Sequence, residues 1–231
     1  MKKAIIIFSA IALIASSCGT NKQETLESRV LPFIPEGYTV LFTASGNLNL
    51  DKYEDVILVV ERKGEMGDFF QEEDRALLIL LGQSGGKYKL AARNDKLVYN
   101  SYEGGTLGDA FQKVVINDGY FSVENMGGSR EMWTRIITFK YSKEDKTWYL
   151  HTDGGDIIDR LDPDNMTTNV KTTIDFGKVA FEQFDRNKDY AQSNLQPNLI
   201  TADGLVQLSK IFFGRIPMQV FIIQNIRMST G

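Results

Sequence analysis

Val56-Ile57-Leu58-Val59-Val60 and Ala76-Leu77-Leu78-Ile79-Leu80-Leu81 are two unbroken apolar runs of strand length, bounded by charged or turn residues. A half-exposed strand alternates apolar with polar positions and an amphipathic helix repeats every three to four; these runs do neither, which predicts strands covered on both faces. Ala76 to Leu90 reads as a hairpin that turns through Gly82-Gln83-Ser84-Gly85-Gly86. Val114-Val115-Ile116 and Tyr120-Phe121-Ser122-Val123 flank Asn117-Asp118-Gly119, whose Asp-Gly pair suits a tight turn. Trp133 to Tyr141 and Thr147 to His151 follow, joined by the polar loop Ser142-Lys143-Glu144-Asp145-Lys146. Ile137, Phe139 and Tyr141 alternate with Thr138 and Lys140, the period of a strand. The expected fold is mainly β: antiparallel sheets of hairpins, as a sandwich or a partial propeller-like arrangement, with a short C-terminal helix.

Gly-Gly pairs at 85/86, 104/105, 127/128 and 154/155 read as hairpin turns or loops, and their drifting spacing argues against a repeat array. Asp162-Pro163-Asp164-Asn165 reads as a turn. The β-rich body is expected over residues 32–200. Residues 201–231 are expected to add a helix capped by Asp203, with Leu205, Leu208, Ile211 and Phe212 on one side, and a strand over Met218 to Ile226, packed on the same domain.

The chain opens with Met1-Lys2-Lys3 and an apolar run from Ala4 to Ala15, followed by Ser16-Ser17-Cys18. A basic start, a short apolar stretch and small residues make residues 1–17 a signal peptide, too short to span a bilayer as a helix. Cys18 is the only cysteine, so the chain forms no internal disulfide. Its placement resembles the cleavage box of bacterial lipoproteins, with Ala15 where such boxes usually carry Leu. The resemblance implies cleavage before Cys18, lipid on its thiol and new amino group, and attachment to a membrane. Gly19 in place of Asp at the next position leans towards the outer membrane. Residues 18–31 are then the lipidated cysteine and a polar tether; Gly19 to Arg29 has an r.m.s. reach of about 15–20 Å.

Composition narrows the function classes. The chain has a formal net charge of −4, and removing residues 1–17 takes two lysines and no acid, so the remainder is more acidic still. With no Lys/Arg block, nucleic acid is not an expected partner, nor is a polybasic membrane contact. The partners left are an envelope protein or a glycan. Aromatic residues make up 11% and apolar residues 42% of the chain, enough for a packed core rather than disorder.

Gly46-Asn47-Leu48-Asn49-Leu50-Asp51-Lys52-Tyr53-Glu54-Asp55 precedes the first apolar strand. Oxygen-bearing side chains at Asn47, Asn49, Asp51 and Asp55 take relative positions 1, 3, 5 and 9, and Tyr53 offers its carbonyl at position 7, a spacing suited to wrapping Ca²⁺. Lys52 replaces the glycine of an EF-hand and Leu58 its bidentate Glu, so the loop is not an EF-hand. The alternative is a metal-free Asx turn that aims the strand. The loop and strand together resemble the calcium loop of FG-GAP or integrin-type β-propeller repeats, Asp-x-Asn-x-Asp-Gly-x-x-Asp, with Asn47 and Lys52 departing from it. More widely, the segments Arg75 to Leu81, Gly104 to Phe111, Gly127-Gly128-Ser129, Trp133, Phe139 to Tyr141 and Trp148 to Leu150 resemble a group of uncharacterised bacterial envelope proteins. That resemblance assigns no catalytic residue, and a single loop does not make a propeller.

For an enzyme the inventory is thin. His151 is the only histidine, which excludes a multi-histidine zinc site, and no Walker loop, dinucleotide fingerprint or nucleophile elbow is present. A hydrolase acting on carbohydrate through paired carboxylates is the enzymatic alternative. Trp133, Trp148 and Tyr149 offer stacking surfaces for sugar, but Trp148 and Leu150 share a strand face, which suits Trp148 to a core. Asp185-Arg186-Asn187-Lys188-Asp189 repeats the Asx spacing and reads as a solvated loop. The Gly104-Gly105 and Gly127-Gly128-Ser129 loops, brought to one end of a sheet, are the expected partner surface. The sequence as a whole suggests a lipid-anchored envelope protein that binds or scaffolds, with no catalytic residue.

Overall fold

The structure, a computed structural model, describes residues 25–62 and 75–190. Two antiparallel sheets, each ordered as in the sequence, make up the body. The first contains β1 (Tyr38–Gly46), β2 (Asp55–Arg62), β3 (Arg75–Gly82) and β4 (Tyr88–Asn94); the second contains β5 (Phe111–Asn117), β6 (Tyr120–Gly128), β7 (Glu131–Ser142), β8 (Thr147–Asp159) and β9 (Asp162–Thr172). The mainly β, hairpin-built fold is as the sequence predicts, and the described residues form no closed barrel.

The two apolar runs are β2 and β3, and both faces of each are covered. Ile57, Val59, Leu77 and Ile79 join Val114, Phe121, Val123, Ile137, Phe139, Trp148 and Leu150 of the second sheet in one core. On the opposite face, Val56, Leu58, Val60, Ala76, Leu78 and Leu80 pack with Leu26, Val30, Phe33, Tyr38 and Tyr88. Burial of each such side chain favours folding by about 1.5–3 kcal/mol, so a polar residue at any of these positions in β2 or β3 would be costly.

That second layer corrects the tether. Leu26–Val30 form a short helix, α1, capped by Thr25, whose Oγ1 accepts from the Ser28 N–H. Val30 is buried, and the Arg29 guanidinium lies over Tyr88 and donates to the Gly86 carbonyl at 3.0 Å. The polar look of residues 18–31 concealed Leu26 and Val30, spaced for one helical face; among the described residues the packed body includes α1, ahead of Pro32.

The Asp118-Gly119 turn joins β5 to β6 with φ of 37° and 82°, the left-handed pair that a two-residue hairpin turn needs. Ser142 to Lys146 likewise joins β7 to β8. Two Gly-Gly pairs are not loops. Gly127 and Gly128 end β6, and Gly154 and Gly155 lie within the thirteen-residue β8. A Cβ at Gly155 would run into the Thr134 carbonyl oxygen, and one at Gly154 would sit 2.6 Å from the Asn169 carbonyl oxygen. Close strand approach, not turning, explains this pair. Asp162 to Asn165 open β9 at an irregular register, and Arg160-Leu161 make the turn. The expected helix and strand over residues 201–231 lie outside the described residues.

Candidate functional site

The Asn47–Asp55 loop sits at the joint between the sheets. Asp55 begins β2 and is fully buried, and its carboxylate accepts from Leu48 N–H at 2.8 Å and from Gly82 N–H, at the end of β3, at 2.9 Å. Burial pushes the Asp55 carboxyl upward and nearby Asp51 adds to this, against the two backbone bonds. Asp51 accepts from Tyr53 N–H at 2.7 Å and from the Asn49 amide at 2.8 Å, while its own N–H donates to Asn49 Oδ1. The Asn47 amide donates to the Asp51 carbonyl at 2.6 Å. The loop then reaches across: Gly119 N–H donates to the Asn47 carbonyl at 2.8 Å, and the Trp148 indole N–H to the Leu48 carbonyl at 3.0 Å.

Calcium takes six to eight oxygens. All four carboxylate oxygens of Asp51 and Asp55 already accept hydrogen bonds, and the amide N–H groups of Asn47 and Asn49 point at Asp51. Asn47 Oδ1 is the one oxygen of the set that is buried without a partner. No group of three or more His, Cys, Asp or Glu gathers as a metal cluster among the described residues. The loop as folded closes on itself and on the second sheet through these bonds, with Asn47 Oδ1 left buried among them.

The Gly104–Gly105 segment does meet the Gly127–Gly128 end of β6. Gly105 and Gly128 form a parallel bridge, and the Thr106 hydroxyl donates to the Gly128 carbonyl at 3.1 Å. Gly127 leaves room for Trp133, whose ring a Cβ there would strike at 2.5 Å, and Gly104 lets the Asp109–Ala110 backbone approach. Trp133 is half-buried against Tyr99, with ring centroids 5.3 Å apart, and Tyr102 stands 60% exposed on the same loop. The spacing of Trp148 and Leu150 correctly placed Trp148 in the core, while Tyr149 takes the other face under Lys178.

Behind Tyr99 lies an ionic network. Arg135 grips Asp153 through two bonds, at 2.8 and 2.7 Å, and donates to the Tyr99 hydroxyl and the Arg186 carbonyl. Burial alone would ease the proton off Arg135, but Asp153 outweighs it and the guanidinium is held charged. Arg186 stacks over Tyr99 and binds Glu103 at 2.7 Å. Arg135 and Asp153 also line a recess of about 240 Å³ with Lys171, Phe176, Asp189 and Tyr190. Lys171 pairs with Asp189 at 2.9 Å, so each carboxylate there faces a cation rather than the other carboxylate. The carboxyls that burial raises, Asp55 and Glu124, do not line the recess.

The sequence reading missed this network, because only the register of β7 with β8 brings Arg135 to Asp153, and only the chain's return after α2 (Thr173–Phe176) brings Arg186 to Tyr99. A lone Arg in a strand, between Thr134 and Ile136, was the available signal. His151 lies at a β-bulge on the face away from the core, in edge contact with Tyr120 at 5.3 Å. The 185–189 segment is a turn in which Asn187 N–H donates to Asp185. Compared with known protein families, with curated proteins and with solved structures, the chain matches none of them.

Proposed function

We propose that the chain is a lipid-anchored protein of the bacterial cell envelope, held to the membrane through Cys18, whose β body binds or scaffolds a partner and does not catalyse. The observation that carries this reading is the meeting of the Gly104–Gly105 loop with the Gly127–Gly128 end of β6, near which half-buried Trp133 and exposed Tyr102 stand at one end of the second sheet. Loops fixed by a rigid sheet are favoured binding surfaces, and aromatic rings beside glycine backbone suit the faces of sugar rings or an apolar side chain. The partner classes are therefore an envelope glycan or an envelope protein. The Asn47–Asp55 loop acts as the joint between sheets, with the Asp51 and Asp55 carboxylates accepting hydrogen bonds.

The test titrates the protein with soluble peptidoglycan and surface-glycan fragments, reading tryptophan emission. Trp148 is buried, so a ligand at the loops changes the Trp133 signal, and Tyr102→Ala weakens that change. Release of reducing sugar, abolished by single carboxylate substitutions, would support the paired-carboxylate hydrolase instead.

A further inference from the structure

The lipid attachment implied by Cys18 and the position of α1 together set how the body meets the bilayer. Seven residue steps separate Cys18 from Thr25, the cap of α1. At ~3.3–3.6 Å per residue even a fully extended chain covers only about 23–25 Å, so α1 cannot stand farther than that from its anchor. Arg29 fastens α1 to the hairpin before β4 through the Gly86 carbonyl and the Tyr88 ring. The face nearest the anchor is therefore α1 with edge strand β4.

Charge and apolarity on that face suit an anionic lipid surface. Residues 87–96 carry Lys87, Lys89, Arg93 and Lys96 against one acid, Asp95, which pairs with Arg93 at 2.7 Å. Arg29 adds a fifth cation and Glu27 of α1 one more acid. Lys87, Lys89 and Lys96 are exposed, Lys96 lying 3.6 Å from Asp185, and two large apolar side chains stand out, Leu31 directly after α1 at 64% and Leu90 in β4 at 43% exposure. The β8–β9 hairpin of the other sheet has the opposite character: residues 153–164 hold Asp153, Asp156, Asp159, Asp162 and Asp164 against Arg160. The cations of this edge lie on both faces of β4, Lys89 opposite Leu81 and Arg93 opposite Leu78, with Arg29 on α1 beside them. On a net acidic chain this asymmetry exerts a torque at an anionic surface.

We propose that the edge formed by α1 and β4 is a membrane-docking surface for anionic phospholipid, with Leu31 and Leu90 touching the headgroup layer and the exposed Lys87 and Lys89 reaching lipid phosphates. The inference rests on the lipid-anchor reading and adds the orientation. The β8–β9 tip and the meeting glycine segments are then left available to partners.

The test uses the full chain purified from membranes and reconstituted into vesicles of phosphatidylethanolamine and phosphatidylglycerol, or of phosphatidylcholine alone. Leu31→Cys, Leu90→Cys and, as the remote control, Leu161→Cys receive an environment-sensitive fluorophore, and headgroup-quencher lipid reads proximity. Docking predicts strong quenching at positions 31 and 90 and little at 161, more in the anionic vesicles and reversed by high salt. Each basic side chain near an anionic leaflet shifts occupancy by about five-fold, so Lys87→Gln with Lys89→Gln is expected to lower the docked population by on the order of twenty-fold. Equal quenching at all three positions, or none in any vesicle, overturns the docking. The unsubstituted chain separates the two readings: labelling at Cys18 shows a free thiol and refutes the anchor, whereas a blocked thiol with unquenched positions 31 and 90 refutes docking alone.

Discussion

Trp148→Phe tests the joint between the sheets. The indole is about 1% exposed, and its N–H bonds to the Leu48 carbonyl at 3.0 Å across the interface. Phe keeps an aromatic ring in place but removes that donor, leaving a buried carbonyl short of a partner at a cost of about 1–3 kcal/mol. The missing part of the indole leaves roughly 40 Å³, which at ~24 cal/mol per Å³ adds about 1 kcal/mol. A loss of about 2–4 kcal/mol is expected, read by urea unfolding as a lower midpoint with unchanged slope. At ~2–4 °C per kcal/mol for a domain this size, the thermal midpoint falls by roughly 4–16 °C. The same melts in EDTA and in millimolar Ca²⁺ should coincide for both proteins, since both carboxylates of the loop already accept hydrogen bonds. A loss under ~0.5 kcal/mol, the range of ordinary surface changes, would refute the joint. A calcium-selective rise approaching the ~2.7 kcal/mol given by ligand at a hundred times its dissociation constant would refute the self-closed loop.

Other substitutions probe the same scaffold. Arg75 is 3% exposed and bridges Asp109, Glu61 and the Tyr99 carbonyl; Arg75→Met should cost about 2–4 kcal/mol, somewhat below the full cost of breaking a buried pair because its acidic partners are about a third exposed. Gly155→Ala drives a methyl group into the Thr134 carbonyl and should cost more than ~2 kcal/mol in chemical denaturation, whereas Gly108→Ala meets open space and should cost about 1 kcal/mol for its positive φ. Burial, with Lys140 nearby, pushes the His151 imidazole below its ordinary 6.5. The unfolded chain then takes up the proton first on acidification, so stability rises with pH through the range just below 6.5 and the slope flattens in His151→Gln; an unchanged slope would place His151 in solvent.

Much of the sheet architecture is legible because its signals are local. The apolar runs of β2 and β3 and the Asp118-Gly119 turn need only their own residues to be read. The joint was half legible: Asn47 to Asp55 announces an ordered Asx loop, but its spacing suits calcium and hydrogen bonds alike. What separates them is the arrival of Gly82, Gly119 and Trp148 from far along the chain. Gly154 and Gly155 misled because glycine in a strand, admitted by a crossing backbone, looks in sequence like glycine in a turn. α1 was hidden by its length; five residues provide one hydrophobic face and no periodicity. The Arg75 and Arg135 clusters were illegible, since each is assembled by register and return of the chain, and a single arginine does not name its carboxylate.

The most direct measurement on the lipid-anchored reading is the intact mass of the protein extracted from membranes with detergent. The account predicts a chain beginning at Cys18, heavier than its polypeptide by a diacylglyceryl group and an N-acyl chain, and Cys18→Ser should leave an unacylated protein that no longer partitions with membranes. A chain carrying an unmodified Cys18 thiol, or one released by buffer alone, would contradict the anchor and with it the orientation drawn from α1.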